Sequence, residues 1–134
     1  MPDLFELEVA TPERLFTRES VESVELPGSK GSLGILPGHA PLVDQLRAGV
    51  LSYSVSGRQR YIAVSGGFIE VLFSHVRVLA DVAERPEEID VGRARAALER
   101  SRQAVANATT PEAAAEASAA VERAEARIAA AERK

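Results

Sequence analysis

The sequence predicts an α+β chain, with an antiparallel β-sandwich followed by an antiparallel two-helix hairpin. Two observations carry this. Residues 1–84 hold short runs that alternate apolar and polar side chains, separated by glycine and proline. Residues 85–134 are rich in Ala, Glu and Arg, contain only Gly92 as glycine, and repeat apolar positions at steps of three and four. The first period is that of a strand with one buried face, and the second that of an amphipathic helix. The chain therefore divides into a sheet unit, 1–84, and a helical unit, 85–134.

The 134 residues allow one modest core. Net charge is -4, and it is unevenly placed. Residues 1–84 hold 7 basic and 11 acidic side chains, 7 − 11 = -4, while residues 85–134 hold 9 of each. A mildly acidic chain lacks the basic footprint of a nucleic-acid binder. Without cysteine there is no disulfide framework and no thiolate metal site. The start, Met1-Pro2-Asp3, has neither the basic nor the apolar stretch of a signal peptide. No apolar run approaches the ~20 residues that span a bilayer. Any role at a membrane is expected to run through partners rather than insertion.

Taken in order, Phe5-Glu6-Leu7-Glu8-Val9 alternates as a half-buried strand, and Thr11-Pro12-Glu13 turns the chain. Val21-Glu22-Ser23-Val24-Glu25-Leu26 reads as a second strand ended by Pro27-Gly28. Residues 31–43, GSLGILPGHAPLV, hold three glycines and two prolines among apolar residues. Such a stretch makes tight turns set into a sheet, with Pro37-Gly38 at the centre of a type II turn. Leu46 and Val50 flank a further bend. Residues 50–55 and 60–64 form a hairpin with its tip at Ser56-Gly57-Arg58. Ser65-Gly66-Gly67 then breaks the pattern and marks a bulge or a close backbone approach. Residues 68–72 and 76–80 complete the set. Strands this short and this evenly spaced favour a sandwich over an open sheet covered by the helices.

The sheet unit shows no catalytic constellation. His39 and His75 are the only histidines, with no HxH or HExxH spacing for a metal and no GxSxG elbow for a nucleophile. A metal reading would need both histidines beside Asp44 or Glu70. No catalytic residue and no metal site is expected.

In the helical unit, Asp90 is a candidate N-cap, and Val91, Ala94, Leu98, Ser101 and Val105 follow at helical spacing. Residues 107–110 interrupt, with Thr110 as N-cap and Pro111 at the first helical position. Ala117, Val121, Ala124, Ile128 and Ala131 then recur. Each buried alanine methyl contributes about 0.8 kcal/mol, against roughly 1.5–3 for Leu or Ile. Alanine is also the best helix former. Weak packing with strong local helicity favours two arrangements, paired and separated. In an antiparallel hairpin, Asp90 and Arg93 are expected to approach Arg123 and Arg127. The clustered arginines need an anion, either a carboxylate such as Glu84, Asp90 or Glu125, or a nucleotide phosphate. A free-standing sandwich that binds a peptide or glycan is the alternative function.

The GxLGILPGHAPLV segment, the later SGGFIEV at residues 65–71 and the terminal hairpin resemble the epsilon subunit of bacterial F-type ATP synthase over the whole chain. The resemblance implies a non-catalytic rotor subunit on the cytoplasmic face of the bacterial plasma membrane. It implies a sandwich against the gamma subunit and the membrane ring of proton-carrying subunits. The hairpin would inhibit ATP hydrolysis when extended along the stalk towards the alpha and beta subunits, and not when folded. One branch of the family binds ATP through an [IL]DxxRA motif, matched here by Ile89, Asp90, Arg93 and Ala94. Its preceding glutamate matches Glu84, and its two later arginines match Arg123 and Arg127. ATP would then be a regulatory ligand rather than a required cofactor, and magnesium dependence is left undetermined. Ser32 and His39 would lie in partner-contacting loops. Two departures stand out. Gly92 costs a helix about 1 kcal/mol relative to Ala. Ser32 stands where many members carry an acid expected to face the membrane ring.

Overall fold

The computed structural model describes residues 3–133. Eight strands come first: β1 Phe5–Ala10, β2 Leu15–Val21, β3 Ser23–Gly28, β4 Gly31–Ile35, β5 Leu42–Gln45, β6 Gly49–Val55, β7 Arg58–Leu72 and β8 His75–Glu84. A 3-10 turn, Pro86–Glu88, leads to helices α1 Val91–Asn107 and α2 Pro111–Ala131. The strand order is β2-β1-β8-β7-β6-β3-β4, with β5 also on β7. The early part of β7 pairs with β6 and its late part with β5. β8 follows β7 through both parts. The two long strands thus pass from one layer to the other and close a sandwich. Its core is aliphatic, with Leu7, Leu26, Leu51, Ile62, Ile69 and Val78 buried around Tyr53.

The bend in β7 falls on Ser65-Gly66-Gly67. The strand does not break there, as its sequence suggested, but runs on. Gly66 and Gly67 have φ of 70° and 113°, a region that residues with a Cβ rarely adopt. A Cβ on Gly67 would collide with the Leu79 carbonyl, and one on Gly66 with the Asp81 carboxylate. The glycines allow the close backbone approach that the sequence left as one of two readings.

Other turns match their residues. Ser56 and Gly57 both have positive φ, 51° and 76°, as the two-residue turn of a twisted hairpin requires. Glu22 fixes that tip, accepting from the Gly57 N–H at 2.9 Å and the Ser54 hydroxyl at 3.0 Å. These bonds, the backbone one foremost, hold its carboxyl below the ordinary carboxylate range. Gly38 has φ of 82°, and the His39 N–H donates to the Leu36 carbonyl, which closes the turn at Pro37-Gly38.

Three further expectations are corrected. β1 and β8 pair in parallel, so the sandwich is not wholly antiparallel. The crossover that parallel neighbours require is supplied by all the strands between them. β2 is a strand that the sequence did not reveal, because its inward positions include Thr17 and Glu19 rather than an apolar series. The Thr17 hydroxyl donates to Glu19, which satisfies the buried polar group. β3 continues through Pro27-Gly28 and turns only at residues 29–30, where Asp44 accepts from the Ser29 N–H and hydroxyl.

Gly67→Ala is expected to destabilise the sandwich by more than about 2 kcal/mol, since both the backbone angle and the neighbouring carbonyl forbid a Cβ. Denaturant unfolding of the two proteins measures this. Equal midpoints would mean that the bend is not held by this contact.

Candidate functional site

The hairpin is folded onto the sandwich. Asp90 caps α1, its carboxylate accepting from the Arg93 N–H at 3.1 Å. Thr110 caps α2 by accepting from the Ala113 N–H at 3.0 Å, with Pro111 next. The seam between the helices buries Ala94, Ser101, Ala117 and Ala124. Val105 is exposed near the distal end, where it lines an open groove with Ser118 and Val121 of α2. Ser101 satisfies its hydroxyl by donating to the Ala97 carbonyl at 2.6 Å. α2, rather than α1, is the helix that lies on β6 and β7. A small apolar cluster joins Ala130 and Ala131 to Ala63 and Ile89.

The link before α1 is firmly held. Glu88 accepts from the Arg85 N–H at 2.8 Å and from Arg14, whose guanidinium stacks on Phe16 at 4.0 Å. The Arg85 N–H and then the Arg14 guanidinium hold the Glu88 carboxyl below its usual range. Arg85 itself donates to the Phe16 carbonyl at 2.7 Å.

Between the hairpin and β7–β8 lies a cleft of about 520 Å³. Ala97, Ala120 and Ala124 give it small walls, and Glu84, Arg100, Arg123 and Arg127 give it charge. Arg127 meets Glu84 through two bonds, Nε to Oε1 at 2.7 Å and Nη2 to Oε2 at 3.3 Å. Arg123 reaches Glu116, two turns back along α2, at 3.3 Å. Arg100 has no ion-pair partner among the described residues. Three guanidinium groups against one carboxylate leave the cleft positive.

The structure thus brings Glu84, Arg123 and Arg127 together. The third arginine in the cleft is Arg100, two turns along α1 from Arg93. Arg93 is exposed and does not line the cleft. Asp90 makes no ion pair with Arg123 or Arg127 and serves as the cap. Ile89 and Ala94 are buried. Ser32 is exposed on β4, in a groove with Arg47 and Glu122. His39 is half-buried after the Pro37-Gly38 turn, its Nδ1 2.7 Å from the Ala40 carbonyl.

His75 is apart from His39, between Glu6 and Glu8. Nδ1 faces Glu6 at 3.4 Å and Nε2 faces Glu8 at 3.7 Å. The two ring nitrogens address different carboxylates, and Arg18 and Arg77 also reach Glu8 at 3.3 and 3.8 Å. This is a charge network across β1, β2 and β8, in which one ligand atom each of Glu6, Glu8 and His75 lies within 4.8 Å of the others.

Family models decide the assignment. Residues 4–86 match the ATP synthase delta/epsilon chain beta-sandwich domain, and residues 87–132 match its long alpha-helix domain. The chain belongs to the delta/epsilon family of ATP synthase subunits. It is similar to the ATP synthase epsilon chain of Solibacter usitatus, with 59% identity over 134 residues and all of both chains covered. It is 53% identical to that of Carboxydothermus hydrogenoformans over 81% of each chain. A chain of the Euglena gracilis mitochondrial ATP synthase superposes with a TM-score of 0.83 at 26% identity, covering 97% of this chain and 82% of that one. A chain of the Tetrahymena thermophila mitochondrial ATP synthase shares the fold, with a TM-score of 0.67 over 95% of this chain and 96% of that one. Its 14% identity supports the fold alone. This is an epsilon-type central-stalk subunit, a non-catalytic part of F-type ATP synthase. The free-standing module is thereby set aside. No helix among the described residues is long and apolar enough to cross a membrane.

Gly92 is not required by the packing, since a Cβ there meets only the Asp90 Oδ1 at an ordinary 3.5 Å. Gly92→Ala should raise stability by about 0.5–1 kcal/mol. A lowered thermal midpoint would show instead that the backbone at Gly92 does something that alanine prevents.

Proposed function

We propose that the folded hairpin is the non-inhibitory state of a regulatory element and that ATP stabilises it. The observation that carries this is the arginine-rich cleft between hairpin and sandwich. Its volume lies within the ~300–1,000 Å³ common for small-molecule sites, and it disappears if the hairpin leaves. A ligand that binds only the folded state shifts the balance towards it.

In this reading Arg100, Arg123 and Arg127 hold the phosphates through charge-assisted bonds. Glu84 orients Arg127. Ile89 and Asp90 lead into α1, and Arg93 and Ala94 stand in its first turn, one turn before Ala97.

Released, the hairpin extends along the stalk and reaches the alpha and beta subunits. α1 supports this, carrying Arg93, Arg95, Arg100 and Arg102 against the single acid Glu99. Such a helix suits an acidic surface.

The gamma subunit takes the outer face of β7, β8, β1 and β2. Phe68, Leu79, Ala10 and Leu15 align in register across these strands, and the three large residues are all exposed. Beside that row runs another of alternating sign, Glu70, Arg77, Glu8 and Arg18. An apolar stripe flanked by a fixed charge pattern provides both contact and orientation. The membrane ring takes the sandwich through Ser32, which lies on β4 rather than in a loop, and through His39 beside exposed Leu36. The chain is thus peripheral, at the cytoplasmic face of the bacterial plasma membrane.

The test is an ATP titration of the full chain by calorimetry, alongside hydrolysis by a catalytic head reconstituted with it. Saturable binding, abolished in Arg127→Ala, is expected, and ATP should relieve inhibition of hydrolysis. Absence of binding in the unaltered chain, or inhibition indifferent to ATP, contradicts the proposal.

A further inference from the structure

The apolar contact of α2 with the sandwich is slight for a helix of 21 residues. Its buried members, Ala130 and Ala131, lie at the C-terminal end against Ala63 and Ile89. Farther towards its start, α2 is separated from the sandwich by gaps rather than packed side chains. The 520 Å³ cleft is one, and a groove of about 430 Å³ between Ser65, Asp81, Ala119 and Arg123 is another. Alanine methyls are alike, so a stripe of them sets neither the position nor the direction of a docked helix.

Two ion pairs cross the gap. Glu122 of α2 accepts from Arg47 at the β5–β6 bend. Five residues on, Arg127 donates to Glu84 at the end of β8. Their polarity is opposite: α2 presents an acid at the first point and a base at the second. Sliding α2 by four residues one way leaves Ala126 and Ala131 at the two points, and the other way Ser118 and Arg123, so neither slide keeps both pairs. A helix laid down in the reverse direction would meet Arg47 with arginine and Glu84 with glutamate. Both pairs are within reach of solvent, the side chains of Arg47 and Glu122 being about half exposed and those of Arg127 and Glu84 less so.

We infer that Arg47–Glu122 and Arg127–Glu84 form a two-point ionic latch of crossed polarity, which sets the register of the docked hairpin and makes its release sensitive to salt. The inference deepens the regulatory reading and rests on the hairpin having a released state. Exposed pairs of this kind each shift an equilibrium by up to about fivefold. That is small for a global fold and sufficient for an element poised between two positions. Screening shortens the reach of such pairs from about 10 Å at 0.1 M salt to about 3 Å at 1 M. ATP bound at Arg127 and salt at Arg47 therefore act on one equilibrium from different points.

The absence of cysteine makes a clean test possible. Arg58→Cys at the β6–β7 tip and Ala115→Cys on α2 put a spin label on two exposed positions, one on each unit, and pulsed electron resonance reads the distance between them. At 0.1 M KCl a single narrow distance is expected, with a second, longer population growing several-fold at 1 M. Arg47→Glu alone and Glu122→Arg alone should each produce that population at low salt, and together they should restore the narrow distance. Distances unmoved by either reversal, or a double reversal no better than the singles, overturn the latch. A variant that merely misfolds is recognised by circular dichroism and counts against the latch only if the double variant also misfolds. If the distances follow the charges while hydrolysis by the reconstituted head does not, the latch stands and the regulatory reading falls.

Discussion

The structure depends on one backbone contact, the approach of Gly67 to the Leu79 carbonyl and Ala80 Cα. It lets β7 bend without breaking, so that one strand pairs first with β6 and then with β5 while β8 follows it from Ala63 to Leu72. From that bend come the closed core and the platform on which α2 rests. Glu84, at the end of β8, faces the hairpin because β8 follows the same turn. A glycine pair that carries no chemistry therefore sets the place of the charged cleft.

The two units are held by forces of different strength. The sandwich buries Leu, Ile and Val from most of its strands around Tyr53. The hairpin seam buries alanine and a serine, and α2 meets the sandwich through a small cluster around Ala130 and Ala131 and through two ion pairs. With roughly 25 cal/mol for each Å² of apolar surface removed from water, methyl groups supply little compared with whole aliphatic side chains. The helices persist through their own propensity and their caps rather than through docking. A regulatory arm on a rigid base needs that division, because it must leave its seat without unfolding either part.

The hairpin's two helices were legible in the sequence. Asp90, Thr110 and Pro111 mark both starts, and the seam positions follow from the helical period. Most strands were legible too, where Val, Leu and Ile alternate with polar residues. β2 was not, because Thr17 and Glu19 occupy its inward positions. The parallel pairing of β1 with β8 was not, since alternation describes a strand's faces and says nothing about its neighbours. In the cleft, Glu84, Arg123 and Arg127 were foreseen together, whereas Arg100 stands where Arg93 was expected. The two lie on one face of α1, and the choice between them depends on how far the hairpin extends along the sheet. The Arg47–Glu122 pair joins residues 75 apart and leaves no local signal.

The central claim is that the hairpin opens as a unit while the sandwich stays closed. Amide hydrogen exchange of the full chain, read residue by residue, tests it most directly. α1 and α2 should share one modest level of protection, far below that of Leu7, Ile62 and Val78 in the sandwich core. Equal protection in both units would contradict it, since the hairpin would then come off only when the whole chain unfolds.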